Sequence, residues 1–230
     1  MAAVLLGSAI GILFRNKINQ KYVSSVISAL ALATIVIGIS SAVKTESILC
    51  LILCLALGTM IGEALRINDR IEGCGDFIRK KLFRGRDLGG SFTEGFVSAC
   101  ILFCVGSMTI MGSIEAGINH NYDVIFAKSA LDFVSSIMFA AAMGIGVPFS
   151  ALFILVFQGG LTLLAGAVSP YISGTVATEM TAVGGAILIG MSLNLFEFSP
   201  KRINVANMLP AIFLPILYFP LYELIAGLLS

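Results

Sequence analysis

The middle of the chain reads FTEGFVSACILFCVGSMTIMGSIEAG at 92–117, FAKSALDFVSSIMFAAAMGIG at 126–146 and VPFSALFILVFQGG at 147–160. Each piece is apolar enough to lie in a bilayer, yet each also carries polar or ionisable side chains. Such groups cost free energy in hydrocarbon, and in membrane proteins they usually mark a solute or ion pathway. The stretch therefore predicts a membrane-embedded fold and also indicates where its functional groups lie.

Composition extends this interpretation to the whole chain. The sequence is 58% hydrophobic and 12% charged, with a mean hydropathy of +1.01, whereas soluble domains carry about 25% charged residues. A net charge of +1 gives no reason to expect a nucleic-acid partner. We predict an all-α polytopic membrane protein, a single membrane domain over 1–230, with about eight segments: 1–14, 23–43, 47–65, 95–115, 124–144, 148–168, 176–196 and 206–228.

The basic residues predict an orientation. With eight segments, all but two of the 14 Lys and Arg residues lie in connections on one side, and the exceptions are Lys44 and Lys128. Basic loops stay in the cytoplasm, so both termini are predicted to lie outside it. The first 14 residues lack the basic start and the cleavage site of a signal peptide, so no cleavable leader is expected.

The two ends of the chain resemble each other. Residues 7–40 align without gaps on 159–192, and IVIGIS at 35–40 falls on ILIGMS at 187–192. The matched segments enter the membrane from opposite sides, which predicts inverted repeat halves at about 1–66 and 148–230 around a central pair. Many secondary transporters are built in this way. The linker 67–92 is read either as a cytoplasmic amphipathic helix or as a solvated connection.

The last segment contains Pro210, Pro215 and Pro220. Proline removes a backbone donor and crowds the preceding turn, so the helix is expected to bend or break there. The carbonyls that a break frees could be satisfied by a neighbour, a water or an ion. The alternative is a kinked helix that only fits the bundle.

Lys128 and Asp132 are one helical turn apart and can pair. Pairing lowers the cost of burial, but apolar replacements of such pairs often cost nothing, so the pair needs another reason to exist. We consider either a gate or proton-coupled site, or an ion pair near the outer interface with Lys128 reaching to the headgroups.

Other polar groups complete the expected site. Gln158 has no evident local partner, while Glu179 either faces a cavity or caps the start of its own helix. Glu63 is expected to pair with Arg66. We predict that Lys128, Asp132, Gln158 and Glu179 share one polar cavity with the broken backbone near Pro210. The full set of candidate substrate- or ion-binding residues adds Ser107, Thr109, Asn194 and Asn207.

Several functional classes lack their sequence signals. The cysteine pairs Cys50/Cys54 and Cys100/Cys104 each lie on one helix face, and core packing is favoured over a metal site. The chain has no phosphate-binding loop, nucleophile elbow or zinc-protease motif. We therefore expect no catalytic residues, no metal, no cofactor and no enzymatic activity.

The sequence resembles the YqgA/YdfK family of bacterial inner-membrane proteins, a family of unknown function. The resemblance extends over nearly the whole chain and is carried by EGFVSACILFCVGSMTIMGS (94–113), KSALD (128–132), GIGVPFS (144–150), QGG (158–160), EMTAVGGAILIGMSLN (179–194) and NMLPA (207–211). It implies a multi-pass protein of the bacterial cytoplasmic membrane, with a suggested transport role and no established substrate.

These observations favour a secondary transporter or channel for a small solute or ion. The alternative is a membrane protein without transport activity, such as a scaffold, a lipid-handling protein or a sensor. The expected partners are the lipid bilayer and a small solute or ion. Small residues on several helix faces, including Gly184, Gly185 and Ala140 to Ala142, predict a homodimer.

Overall fold

A computed structural model describes residues 1–15, 20–71, 73, 77, 91–104, 107–196 and 202–229. These residues form helices and connections and contain no strand. The helices are α1 (Ala2–Arg15), α2 (Gln20–Ala42), α3 (Ile48–Ala64), α4 (Ser91–Cys104), α5 (Ser107–Ile118), α6 (Asp123–Met143), α7 (Gly146–Leu163), α8 (Ala165–Val168), α9 (Gly174–Leu195) and α10 (Pro215–Leu229), with 3₁₀ segments at Ser169–Tyr171 and Val205–Phe213.

Every predicted membrane segment corresponds to helical structure, and this confirms the all-α class. Among the described residues, α2, α6, α7 and α9 are long and apolar enough to cross a bilayer, and up to six spans result if each bent helix pair counts as one. Helices α1 and α3 are apolar but shorter. Four to six candidate spans are therefore present, against the eight predicted. Most of the linker 67–92 lies outside the described residues, although 67–71 are helical.

Two segments bend. The axes of α4 and α5 differ by 59°, and the 3₁₀ segment Val205–Phe213 meets α10 at 45°. The second bend confirms the expectation from the proline spacing, because Pro210 lies inside the 3₁₀ segment and Pro215 begins α10. Pro220 lies within α10 without ending it.

Glycines set the packing of α1 on α6. A Cβ at Gly7 would overlap the Phe133 carbonyl, and one at Gly11 would overlap the Ile137 carbonyl. The later residue of α1 contacts the later residue of α6, so the two helices run parallel. The Arg15 guanidinium covers Gly144 at the turn that follows α6. Small residues thus let these backbones approach closely, as in other membrane helix pairs.

Helix α9 packs antiparallel on α2, and the 3₁₀ segment packs antiparallel on α3. A Cβ on Gly38 of α2 would lie 2.8 Å from the Gly185 carbonyl oxygen, and one on Gly185 of α9 would lie 2.6 Å from the Gly38 carbonyl oxygen. In the same way Gly58 and Gly62 of α3 pack on the 3₁₀ segment, at Ala211 and Asn207 respectively.

Helix α9 forms the centre of the molecule. The apolar stretch of α9 that could cross a bilayer is 78% buried. The corresponding stretches of α2, α6 and α7 are 22–28% buried and expose broad apolar faces. One core cluster surrounds α9, α3 and the 3₁₀ segment, and a second joins α1, α2, α4, α6 and α7. The exposed apolar faces are those expected for contact with lipid.

Candidate functional site

Lys128 and Asp132 form an ion pair one turn apart on α6, between Nζ and Oδ2. Their side chains are only 8% and 14% exposed. Neighbouring positions Leu131 and Val134 point outward from the bundle, so the pair lies on the inward side of the helix.

Gln158 lies on α7, the helix that follows α6 through the turn at Gly144. At 1.5 Å per residue, Asp132 and Gln158 are each roughly 18 Å along their helices from that turn. The Gln158 side-chain nitrogen is buried and has no hydrogen-bond partner, and the same holds for the Ser8 hydroxyl on α1. A buried donor without a partner costs free energy, so Gln158 needs a reason to be there.

The candidate residues next to the bend between α4 and α5 give less information about a binding site. Thr109 is buried and donates to the Phe103 carbonyl at 3.2 Å, and Ser113 donates to the Thr109 carbonyl at 2.6 Å. The Thr109 contact joins α5 to α4 across the bend. The Ser107 side chain lies outside the described residues.

Glu179 is completely buried in α9, and its partners lie far away in sequence. Its carboxylate accepts hydrogen bonds from the Thr45 hydroxyl at 2.7 Å, the Glu46 amide at 2.6 Å and the Ser47 amide at 3.0 Å. Ser47 is the N-cap of α3. Glu179 thus places a negative charge at the positive end of α3 instead of capping its own helix, and it anchors the α2–α3 connection to α9.

Asn207 forms a second long-range contact at the opposite end of α3. Its side-chain nitrogen donates to Glu63, and its side-chain oxygen accepts from the Asn68 amide at 2.7 Å. Glu63 is therefore held by Asn207 and not by Arg66 as expected. Arg66 instead adopts a left-handed backbone conformation, with φ of 50°, just after α3.

Asn194 closes the connection between α9 and the 3₁₀ segment. Its side-chain nitrogen donates to the Ile203 carbonyl at 2.8 Å, and its side-chain oxygen accepts from the Ile203 amide at 2.9 Å. This two-bond contact imitates a backbone pair and fixes where the chain returns to the bundle. The hydrogen-bond partner of Asn194, a predicted binding residue, is thus a backbone group.

A polar cavity of about 270 Å³ opens beside this connection. An ion pair joins Arg202 Nη1 and Glu94 Oε2 at 3.3 Å across it. The cavity lies at the end of the bundle where α1, α3 and α9 end, which carries Arg15, Arg66 and Arg202 and is called here the basic end. It is lined by Asn68, Thr93, Glu94, Val97, Ser98, Met191, Asn194, Leu195, Arg202, Ile203, Asn204 and Val205.

The structure therefore divides the predicted site. Lys128 and Asp132 lie together, with Gln158 at a similar depth, whereas Glu179 is engaged with residues 45–47 and Asn207 with Glu63 and Asn68. Of the predicted residues whose side chains are described, only Asn194 lines the polar cavity. Sequence reasoning missed the meeting of Glu94 and Arg202, although both are charges flanking apolar segments.

The described residues contain no group of three or more His, Cys, Asp or Glu side chains that could hold a metal ion. Cys50 and Cys54 are buried, with their sulfur atoms 3.7 Å apart. Both belong to the core cluster around α9, where they pack as small side chains. Cys100 and Cys104 are buried as well.

Comparison with known proteins places these features in a family. The chain is 26% identical over 216 residues to the "Uncharacterized membrane protein YdfK" of Bacillus subtilis (strain 168), covering 92% of this chain and 90% of the relative. It is 30% identical over 217 residues to the "Uncharacterized protein YqgA" of Escherichia coli (strain K12), covering 93% and 91%. No solved structure matches. The family model described as "Protein of unknown function (DUF554)" matches residues 1–219, so the chain belongs to the DUF554 family.

Proposed function

We propose that this membrane protein is a secondary transporter or channel for a small solute or ion, and that Asp132 belongs to its pathway. The observation that carries the proposal is the Lys128–Asp132 pair, held almost completely out of solvent on the inward side of an apolar helix. Charges at the centre of a membrane helix cost about 2.5–3.5 kcal/mol each on insertion scales. Leucine would avoid this cost, so the pair is better explained by a function than by stability.

The depth of Asp132 and Gln158 in the bilayer also supports a place in the pathway. The hydrocarbon core of a bilayer is about 30 Å thick. If the turn at Gly144 lies at the basic-end interface, Asp132 and Gln158 both lie roughly 18 Å into the membrane, near its middle. The unpartnered Gln158 nitrogen then supplies a hydrogen-bond donor at a depth similar to that of the ion pair.

The helix pairing supports inverted repeats within this proposal. Helix α1 runs parallel to α6, and α7 runs parallel to α4 and α5, where Gly146 meets Phe92 and Gly117 meets Thr162. A two-fold axis in the membrane plane would exchange these two pairs. Gly38 and Gly185 each pack on the carbonyl oxygen of the other, so this axis would relate Gly38 to Gly185. The gapless sequence alignment instead matched Gly38 with Gly190. The structural repeat that we propose is therefore shifted by five residues from the alignment at this point.

Orientation and assembly remain part of the proposal. The basic end faces the cytoplasm of a bacterial inner membrane, and both termini face away from it. The small residues that predicted a homodimer are used within one chain, since Gly185 packs on Gly38 and Ala140 packs on Gly11. A homodimer would need another surface, and cross-linking in mild detergent tests it.

The transport proposal is tested in proteoliposomes loaded with a pH-sensitive dye and exposed to a panel of amino acids, small carboxylates and monovalent cations. We expect at least one solute to drive a flux that Asp132→Asn abolishes, because the substitution keeps the shape and removes the charge. Asp123→Asn serves as the matched control, since Asp123 is an exposed acid at the start of the same helix. Equal flux through Asp132→Asn and the parent chain would remove Asp132 from the pathway.

A lipid-handling role is the second candidate, favoured by an apolar cleft of about 410 Å³ between α3 and α10. It is lined by Leu53 and Leu57 of α3 and by Leu217, Tyr218, Leu221 and Tyr222 of α10. Its surface is almost wholly apolar and suits an acyl chain. Native mass spectrometry that finds a retained phospholipid, lost on Leu53→Ser with Leu217→Ser, would favour this role.

A further inference from the structure

The polar cavity at the basic end contains two opposite charges and is separate from the Lys128–Asp132 pair. Glu94 is in the first turn of α4, and Arg202 precedes the 3₁₀ segment. The two-bond contact of Asn194 with Ile203 fixes the backbone next to Arg202. The backbone positions of both residues are therefore set by the fold.

The ion pair itself is loose. One guanidinium nitrogen meets one carboxylate oxygen at 3.3 Å, and the two side chains are 58% and 26% exposed. An exposed pair of this kind stabilises a protein little. Arginine carries five N–H donors in a planar fork that can hold a carboxylate through two bonds. A ligand can thus replace the internal contact with a better one.

The remaining lining fits a small molecule with polar and apolar parts. Asn204, Thr93 and Ser98 offer amide and hydroxyl groups, whereas Val97, Met191, Leu195 and Val205 form an apolar floor. The volume of about 270 Å³ is just below the range of about 300–1,000 Å³ that is usual for drug-sized ligands. The cavity is therefore suited to a solute of a few heavy atoms.

We propose that this cavity binds a small zwitterion, with the anionic group on Arg202 and the ammonium group on Glu94. Among the described lining residues the two charges cancel, so a ligand with one charge of each sign pairs both. A simple anion would be attracted by Arg202 but repelled by the carboxylate of Glu94. A simple cation would be attracted by Glu94 but repelled by Arg202. The apolar floor then contacts the aliphatic part of the ligand.

Two sources can supply this chemistry at a membrane surface. A free amino acid carries a carboxylate and an ammonium group a few bonds apart, and the phosphoethanolamine headgroup carries a phosphate and an ammonium group. Binding at the basic end does not require that the protein transports anything. The inference therefore goes beyond the transport proposal and can hold or fail independently of it.

The test is equilibrium binding to the purified full chain in a maltoside detergent, by isothermal titration and by thermal shift. The probes are alanine, glycerophosphoethanolamine, propionate and ethylamine at millimolar concentration. We expect alanine or glycerophosphoethanolamine, which each carry one charge of each sign, to bind, and propionate and ethylamine to bind at least about tenfold more weakly, because each leaves one charge unpaired. Alanine binding identifies a free solute as the source, and binding of glycerophosphoethanolamine without alanine identifies the headgroup.

Variants assign the binding to this cavity. Arg202→Gln and Glu94→Gln should each weaken binding by about tenfold or more, since each removes a charge-assisted contact. Lys44→Gln and Asp123→Asn remove one charge of each sign elsewhere and should leave the affinity unchanged. The proposal is overturned if propionate or ethylamine binds as tightly as the zwitterions, if none of the zwitterions binds, or if both cavity variants keep the parent affinity. If Arg202→Gln does not fold, Glu94→Gln alone decides.

Discussion

Replacement of Glu179 tests whether this buried carboxylate is a structural anchor. Its three hydrogen bonds come from Thr45, Glu46 and Ser47, and Glu179→Ala would remove the acceptor of all three. A buried donor left without a partner costs about 1–3 kcal/mol. Glu46 is exposed, Thr45 and Ser47 are partly exposed, and the Ser47 amide also lies 3.3 Å from the Thr45 hydroxyl oxygen. We therefore expect the lower part of that range for each, or roughly 3–5 kcal/mol in total.

Glu179→Gln should be milder, because the amide oxygen can still accept the two backbone bonds. The Thr45 hydroxyl can then accept from the amide nitrogen instead of donating. What is lost is the negative charge near the start of α3, which is worth about 0.3–2 kcal/mol at a helix N-terminus. The predicted order of stability is therefore parent chain, Glu179→Gln, Glu179→Ala.

A cysteine-reactive dye provides the assay, since Cys50, Cys54, Cys100 and Cys104 are buried and react on unfolding. A Cys74→Ser background restricts the signal to these four. At roughly 2–4 °C per kcal/mol for a chain of this size, Glu179→Ala should lower the apparent midpoint by roughly 6–20 °C at a fixed scan rate. Glu115→Ala is the control, because Glu115 has one long contact, 3.4 Å from Asn121. A midpoint for Glu179→Ala equal to that of the control would refute the anchor.

Two further predictions concern packing and orientation. Gly62→Ala should destabilise the chain by about 1–3 kcal/mol, because the added Cβ would overlap the Asn207 carbonyl. The control is Gly166→Ala, whose Cβ meets nothing within 4 Å and which should not lower the unfolding midpoint in the same assay. Equal midpoints for the two variants would contradict the close approach of α3 to the 3₁₀ segment. In a cysteine-free background, a membrane-impermeant maleimide should label Lys44→Cys in intact cells and Arg202→Cys only in inverted vesicles. Labelling of both from one side would contradict the proposed orientation.

Hydropathy located the helices because a membrane helix must satisfy its backbone internally and expose apolar side chains to lipid. The proline spacing likewise predicted the bend before α10, since proline acts on its own turn. These are local effects, and local sequence is sufficient to predict them. Helices α1 and α3 lie where segments 1–14 and 47–65 were predicted, but they are shorter than the other candidate spans, so the predicted count of eight spans is not confirmed.

The partners of the polar groups could not be predicted in the same way. Glu179 meets residues 45–47, Asn207 meets Glu63, and Arg202 meets Glu94, all across long stretches of sequence. Nothing near Glu179 indicates that its acceptor serves another helix. By contrast, Lys128 and Asp132 are one turn apart, so helix geometry alone predicted their contact.

The pairing of the helices has a consequence for synthesis of the chain. Helices α1, α2 and α3 take their main contacts from α6, α9 and the 3₁₀ segment, which are all made later. At about 5–20 residues per second, roughly 7–30 s separate the end of α3 from the start of its partner. During that time the first three helices have lipid or the insertion machinery as neighbours, and Thr45 to Ser47 lack the carboxylate of Glu179. A chain interrupted before α6 therefore lacks the surfaces that hold its first half, and membrane quality-control proteases would encounter it unassembled.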